Sequence, residues 1–481
     1  DQPDASLVDK AVSIHAGLES LRQPISRDGD RLLLLRDTTN PDKLFGWVSY
    51  RTLTSAQLFS ALKNPELAQR IRLQSAGTCL LITAIHTAAE HRSQDPAQLL
   101  LSELLARCVE EDCAYALYLP HCGTCDPDTA DLLCRQGFCP VEGTAALYQV
   151  DMHAPTVLIQ NLETTIQEPL AQNRRVLKTI RRNHERLQRV MTGLHPGSPV
   201  LPLSSDVIHH RLLEKITAIN GVPSTPTQPR KLGEYMCVPF GKLLRSKAVP
   251  NTVTKTLHTD KVYEPDLATS TIEAFLHYSP IPSQIRTIKS FDRPVILVDD
   301  LMHPGIRINA LDPIFRQEEV SIKTVLVGVL SGYGRDLMQL RNRPVDSVYF
   351  VPRLRQWFVE STLYPFIGGN TVRRPAAPVP GLLPGINHIL PYASPTFRGE
   401  CSEQAIFELS RCCLENARDL MLVLEAEYRT LYARNLTLSR LPEAVILPLC
   451  PDKGACMSYD PNLAASVYLE NDLELLMRTH S

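Results

Sequence analysis

Three kinds of hydrophobic pattern follow one another along the chain. Between Arg31 and Met152, short apolar runs read as strands: RLLLLRD (31–37), LFGWVSYRTL (44–53), GTCLLITAIHT (77–87), YALYLP (115–120) and TAALYQVDM (144–152). AQLLLSELLARCVEED (97–112) and DTADLLCRQ (128–136) have helical spacing instead, so the interleaving predicts a mixed α/β domain. EPLAQNRRVLKTIRRNHERLQRVMTGL (168–194) predicts one long helix, stopped by HPGSP. Beyond Leu201 the strands become continuously apolar, PVILVDD (294–300), IKTVLVGVLS (322–331) and VDSVYFVP (345–352), the pattern of a parallel sheet covered on both faces. RRPAAPVPGLLPG (373–385) reads as an extended connector. SEQAIFELSRCCLENARDLMLVLEAEYRTLYARN (402–435) predicts an amphipathic helix with Ile406, Leu409, Cys413, Leu420, Leu424 and Leu431 facing inward. The last forty or so residues read as irregular structure packed on a neighbour.

A chain of 481 residues exceeds one ordinary core, and the pattern divides it at 1–155, 156–198, 199–395 and 396–481. Lys plus Arg (50) nearly cancels Asp plus Glu (52), so global charge gives no reason to expect a nucleic-acid or membrane partner. Seven basic residues, Arg174, Arg175, Lys178, Arg181, Arg182, Arg186 and Arg189, crowd the 168–194 helix. No aromatic side chain stands among them to stack on a base, so they read as a solvated or inter-domain face. Apolar runs such as LLLL (32–35) are far shorter than the ~20 residues that span a bilayer. The thirteen cysteines are scattered through strand and helix patterns, which suits reduced thiols in a cytoplasmic protein. His121-Cys122-x-x-Cys125, with Cys134 and Cys139 beyond, lacks the second CxxC pair of a structural zinc site, so no metal site is expected. The opening Asp1 fits a fragment or processed product with a further domain upstream.

The most informative stretch is VILVDDLMHPGIRI (295–308). A buried strand ending in two carboxylates and running through a Pro-Gly turn into a helix places charge at the carboxyl edge of a parallel sheet, where α/β folds bind ligands. Amides of the turn and helix start suit a phosphate, and paired carboxylates suit ribose hydroxyls or magnesium carried by a pyrophosphate.

This stretch resembles the ribose-phosphate loop of type I phosphoribosyltransferases. The resemblance implies a doubly wound parallel-sheet domain in which Asp299 and Asp300 touch the ribose hydroxyls and His303, Gly305, Ile306 and Arg307 hold the 5′-phosphate. Lys255 falls in the pyrophosphate-side loop, residues 260–290 in the mobile loop, and Trp357 where that family stacks its base. Mg2+ accompanies a pyrophosphate ligand in such a site. Where the family has Thr-Thr-Gly-Ala-Thr, this chain has His303-Pro304-Gly305-Ile306-Arg307. Pro304 removes an N–H donor and the hydroxyls are gone; Arg307 and His303 offer charge in their place.

AEHRSQDPAQLLLSELLARCVEEDCAYALYLP and LLCRQGFCPVEGTAALYQVDM resemble the coenzyme-binding core of GNAT acyltransferases. That resemblance implies acetyl-CoA held by Arg92, Gln94 and Ala97 at a helix start. Asp95 replaces a glycine there, and Leu133 stands where a tyrosine often protonates the thiolate. The whole order, a GNAT-like mixed sheet, a basic helical linker, a phosphoribosyltransferase-like parallel sheet and a helical C-terminal tail, resembles bacterial cytidyltransferase-related proteins. Members of that group carry a nucleotidyltransferase domain in front. The leading expectation is a transferase of nucleotide or cofactor metabolism binding a phosphorylated ribose or nucleotide. A non-catalytic nucleotide-binding sensor or scaffold and an acetyl-CoA-dependent N-acyltransferase are the alternatives, and homo-oligomerisation is left open.

Overall fold

The computed structural model describes residues 18–21, 30–36, 43–62, 64–74, 77–87, 95–120, 123–144, 146–229, 231–244, 248–395, 397, 401–454 and 458–479. It is a mixed α/β structure, and the chain passes back and forth between two compact units. The first comprises Asp1–Val157, Gly197–Thr259 and Ala274–Gln356; the second comprises Leu158–Pro196, Asp260–Glu273 and Trp357–Ser481.

The first unit holds two sheets. One has seven strands, β1 (Leu18–Leu21), β2 (Arg31–Arg36), β3 (Leu44–Leu53), β4 (Cys79–Thr87), β5 (Tyr115–Tyr118), β6 (Cys139–Pro140) and β7 (Tyr148–Asp151), in the order β1-β2-β3-β4-β5-β7-β6. Its pairs are antiparallel except β4 with β5, where Cys79 faces Tyr115 and Ile82 faces Tyr118. Helices α1 (Ser55–Leu62), α2 (Pro65–Gln74), α3 (Pro96–Glu110) and α4 (Pro127–Arg135) accompany it. Leu100, Leu101, Leu104 and Leu105 of α3 are buried, as their i, i+1, i+4 and i+5 spacing requires of one helix face.

The other sheet is wholly parallel. After helix α5 (Ser205–Ile219) come β8 (Met236–Pro239), β9 (Val253–Thr254), α6 (Ile281–Lys289), β10 (Val295–Met302), α7 (Ile306–Gln317), β11 (Ile322–Ser331), α8 (Gly332–Leu340) and β12 (Val345–Val351). The strand order is β9-β8-β10-β11-β12. Central strand β10 buries Val295, Ile296, Leu297 and Val298 in succession, which explains its unbroken apolar run.

In the second unit, strands Thr259–Tyr263, Ser270–Ala274, Asn370–Val372, Leu383–Ile386 and Leu449–Pro451 form a mixed sheet. The Pro-rich stretch expected to be a plain connector therefore contributes Leu383–Ile386 to a sheet. The basic helix (Arg174–Thr192) packs on the long helix (Glu403–Tyr432), and its arginines meet acidic partners there: Arg182 to Asp419 at 3.0 Å, Arg186 to Asp419 at 2.9 Å, Arg175 to Glu427 at 3.1 Å. Of the positions expected inward on the long helix, Ile406, Leu409, Cys413, Leu420 and Leu424 are buried, whereas Leu431 is 49% exposed in the helix's last turn. The expected irregular C-terminus is corrected outright, since Ala465–Thr479 is a helix that buries Leu469, Leu473 and Leu476.

Candidate functional site

Strand β10 delivers both aspartates to the carboxyl edge of the parallel sheet. Asp299 is 4% exposed. Its Oδ1 accepts from an Arg307 guanidinium nitrogen at 2.7 Å and from the Asp300 N–H at 2.9 Å. Burial pushes the Asp299 carboxyl above the ordinary aspartate range, and the Arg307 charge opposes that shift without cancelling it.

Asp300 faces the loop that follows β8. Its carboxylate accepts the backbone N–H groups of Lys242 (2.6 Å) and Leu243 (2.8 Å). Gly241 permits this approach, because a Cβ on it would lie 2.4 Å from Asp300 Oδ1. The two carboxylates thus serve as acceptors for the chain's own donors, a pattern that pins one loop to the end of β10.

The bend beyond is equally filled. Gly305 caps α7 from the left-handed region (φ 64°) and offers no side-chain cap. A Cβ at Gly305 would sit 2.3 Å from Leu337 Cδ2, so the α8 side chain covers the bend. His303 is half-buried, its ring 6.0 Å from that of Tyr333, and burial lowers its pKa. Ile306 is 39% exposed. Lys255 follows β9 with an exposed side chain, and its backbone N–H donates to the Cys237 carbonyl at 3.0 Å. Trp357, 36% exposed, belongs to the second unit.

These residues do not fit a magnesium ion. Arg307 places a cation against Asp299, so that carboxylate is already engaged rather than open to a magnesium ion carried by a pyrophosphate. Cys125 donates to the Asp126 carbonyl at 3.6 Å, and Cys134 and Cys139 are thiols; His121 and Cys122 lie outside the described residues.

The start of α3 shows the same kind of internal occupancy. Asp95 takes the N-cap position in the left-handed region (φ 44°), Oδ1 accepting the Gln98 N–H at 3.1 Å. Its Oδ2 lies 3.5 Å from Arg135, which is itself 6% exposed and also holds Asp131 at 2.9 Å. A coenzyme pyrophosphate would meet a carboxylate on the helix terminus, and Pro96 subtracts one amide donor, so the residues present do not fit that group. Arg92 and Gln94 fall outside the described residues, and Ala97 is half-buried in the first turn of α3. Leu133 is fully buried and has no proton to give.

No protein-family description matches the chain, and no curated protein matches it. Solved structures similar to part of it include NAA60 of Arabidopsis thaliana in complex with acetyl-CoA, at 14% identity and TM-score 0.19 over 25% of this chain and 76% of that one. Another is a protein described as an acyl-CoA N-acyltransferase from Klebsiella pneumoniae, at 15% identity and TM-score 0.18 over 30% of this chain and 89% of that one. Likenesses this slight carry no argument about chemistry.

The residues that sequence reasoning passed over are the partners. Lys242, Leu243, Leu337 and Arg135 decide what the aspartates do, and only Gly241-Lys242 after an apolar strand left a local trace. Leu337 is one apolar position among many on α8.

Proposed function

We propose that this chain is a non-catalytic binding or scaffold protein built on transferase-type α/β sheets. One observation carries the reading: at both edges where transfer chemistry needs open anion-binding donors, the chain's own carboxylates already engage them. Asp95 caps α3, Asp300 holds the amides of Lys242 and Leu243, and Asp299 holds Arg307. A donor substrate would have to displace charge-assisted bonds before binding. The test is turnover: coenzyme A thiol release from acetyl-CoA and pyrophosphate release from phosphoribosyl pyrophosphate with Mg2+, each with mixed amine and nucleobase acceptors. Rates equal to buffer are expected, and product formation from either donor overturns the reading.

A second reading, a transferase that binds a phosphorylated ribose or nucleotide, draws support from position. Asp299 and Asp300 lie towards the carboxyl end of the central strand of a parallel sheet, Asp300 against the loop at Gly241, in the region where such sheets take ligands. Calorimetry with ribose 5-phosphate separates the two readings. Binding by the native chain that disappears in the Asp299→Asn, Asp300→Asn double variant, together with pyrophosphate release in the turnover test, favours the transferase; no binding by either favours the scaffold.

A further inference from the structure

Five of the described thiols are inert by position. Cys79, Cys237, Cys412, Cys413 and Cys450 are buried, and burial raises each of their pKa values. Cys401 differs in three ways. It is half-buried rather than enclosed. Its Sγ lies 3.7 Å from Nε2 of His195, within reach of a sulfur hydrogen bond. It also directly precedes Ser402, whose hydroxyl accepts the Ala405 N–H at 3.1 Å and caps the thirty-residue helix Glu403–Tyr432. The positive end of a long helix and an adjacent imidazole both favour a thiolate over a thiol. His195 and Cys401 come from segments more than two hundred positions apart, so the pairing is a product of the fold of the second unit.

We propose that Cys401 and His195 form a nucleophile–base pair that makes Cys401 a site of thiol–disulfide exchange with small disulfides. The imidazole takes the thiol proton, giving a thiolate–imidazolium pair. The thiolate attacks one sulfur of the disulfide, a new S–S bond forms to Cys401, and the old S–S bond breaks. The departing thiolate carries the electron pair and takes the proton back from His195. Cys401 is thereby oxidised and the departing thiol reduced, so no further oxidant is required. The reaction asks for a thiolate and a proton donor and no oxyanion hole, which matches what the pair supplies. This inference is independent of either reading of the sheet edges.

The probe is glutathione disulfide added to the intact chain, with adducts located by peptide mass spectrometry across pH 5.5–9.5. Cys401 is expected to react ahead of the exposed Cys134, with a rate midpoint at lower pH. The gain in thiolate fraction is partly offset by the lower intrinsic nucleophilicity of a more acidic thiol, so the net advantage expected at pH 7 is about threefold. His195→Gln is expected to abolish that advantage and move the midpoint upward, and unfolding the native chain in urea is expected to do the same. If Cys401 reacts no faster than Cys134 in the folded chain, the proposal is wrong whether or not the variant folds. An unchanged pH profile in a folded His195→Gln chain equally overturns it.

Discussion

The Asp300 carboxylate accepts two backbone N–H groups, so removing it strands two donors at the end of β10. Asp300→Ala is therefore expected to lower stability by about 2 kcal/mol, while Asp300→Asn, which keeps one acceptor oxygen, loses about half as much; urea denaturation midpoints measure both. A second residue-scale expectation concerns His184. Burial alone would push its pKa down, but the carboxylates of Glu360, 2.9 Å away, and Glu163 prevail and raise it to about 9. A raised imidazole pKa means that the folded chain holds its proton more tightly than the unfolded one. The stabilisation is complete below the unfolded value near 6.5, shrinks as pH rises, and is gone once pH passes about 9. Midpoints recorded from pH 6 to pH 10 should fall across that window by an amount on the order of 3 kcal/mol at most, and His184→Gln should flatten the slope. The aspartates were legible because a strand, an acidic pair and a turn lie within fourteen contiguous residues. Their partners were not, since Lys242 and Leu337 come from other segments, and no local pattern says which distant amide or methyl group fills a site.

At the scale of elements, α3 gives a clean comparison because Asp95 does two things at once. It caps the helix and, at φ 44°, occupies a backbone region that glycine adopts at no steric cost. Asp95→Ala loses the cap and keeps the strain, for an expected loss of about 1 kcal/mol; Asp95→Gly relieves the strain and should change stability by only a few tenths. Thermal melts of the two variants check the order. Under the scaffold reading the same Asp95→Gly change also removes the charge that occupies the helix start. Acetyl-CoA should then raise the melting temperature of Asp95→Gly more than that of the native chain. Most strands and helices of the first unit were legible because each carries a simple apolar pattern, one periodic face in α3 and one unbroken buried run in β10. The C-terminal helix was not read, although Ala465, Leu469, Leu473 and Leu476 recur at helical spacing, because Glu470, Asp472 and Glu474 interrupt the apolar count. Leu431 failed for the opposite reason: the periodicity persists to the end of the long helix after the packing partner has stopped.

At the scale of the molecule, the first unit is tied together by a buried cluster that no sequence window contains. Glu103 of α3 meets Arg211 of α5 at 3.0 Å and the hydroxyl of Tyr349 on β12 at 3.0 Å, with the Arg211 guanidinium 5.3 Å from the Tyr349 ring. Glu103 is 4% exposed, and although burial acts to raise its pKa, the arginine outweighs it and keeps the carboxyl below the ordinary range. Arg353 adds an ion pair to Asp112 at 2.9 Å. The antiparallel-rich sheet and the parallel sheet therefore share a polar cluster, and taking the parallel half away leaves Glu103 only Arg107 of its own helix, at 3.2 Å. Tyr349→Phe should cost about 1.5 kcal/mol, one hydrogen bond to a charged acceptor. Glu103→Ala should cost about 3 kcal/mol, because the half-buried Arg211 loses its counter-charge and the Tyr349 hydroxyl its acceptor. The strongest form of the expectation is a cut. Residues 1–155 expressed alone keep Glu103, Leu100 and Leu104 but lose Arg211 and Tyr349, so the fragment should give poorly dispersed amide spectra or associate on size exclusion. Expression together with residues 156–481 should restore a folded complex. A fragment 1–155 that is monomeric, well dispersed and cooperative in urea would mean that the cluster decorates two independent sheets rather than joining them.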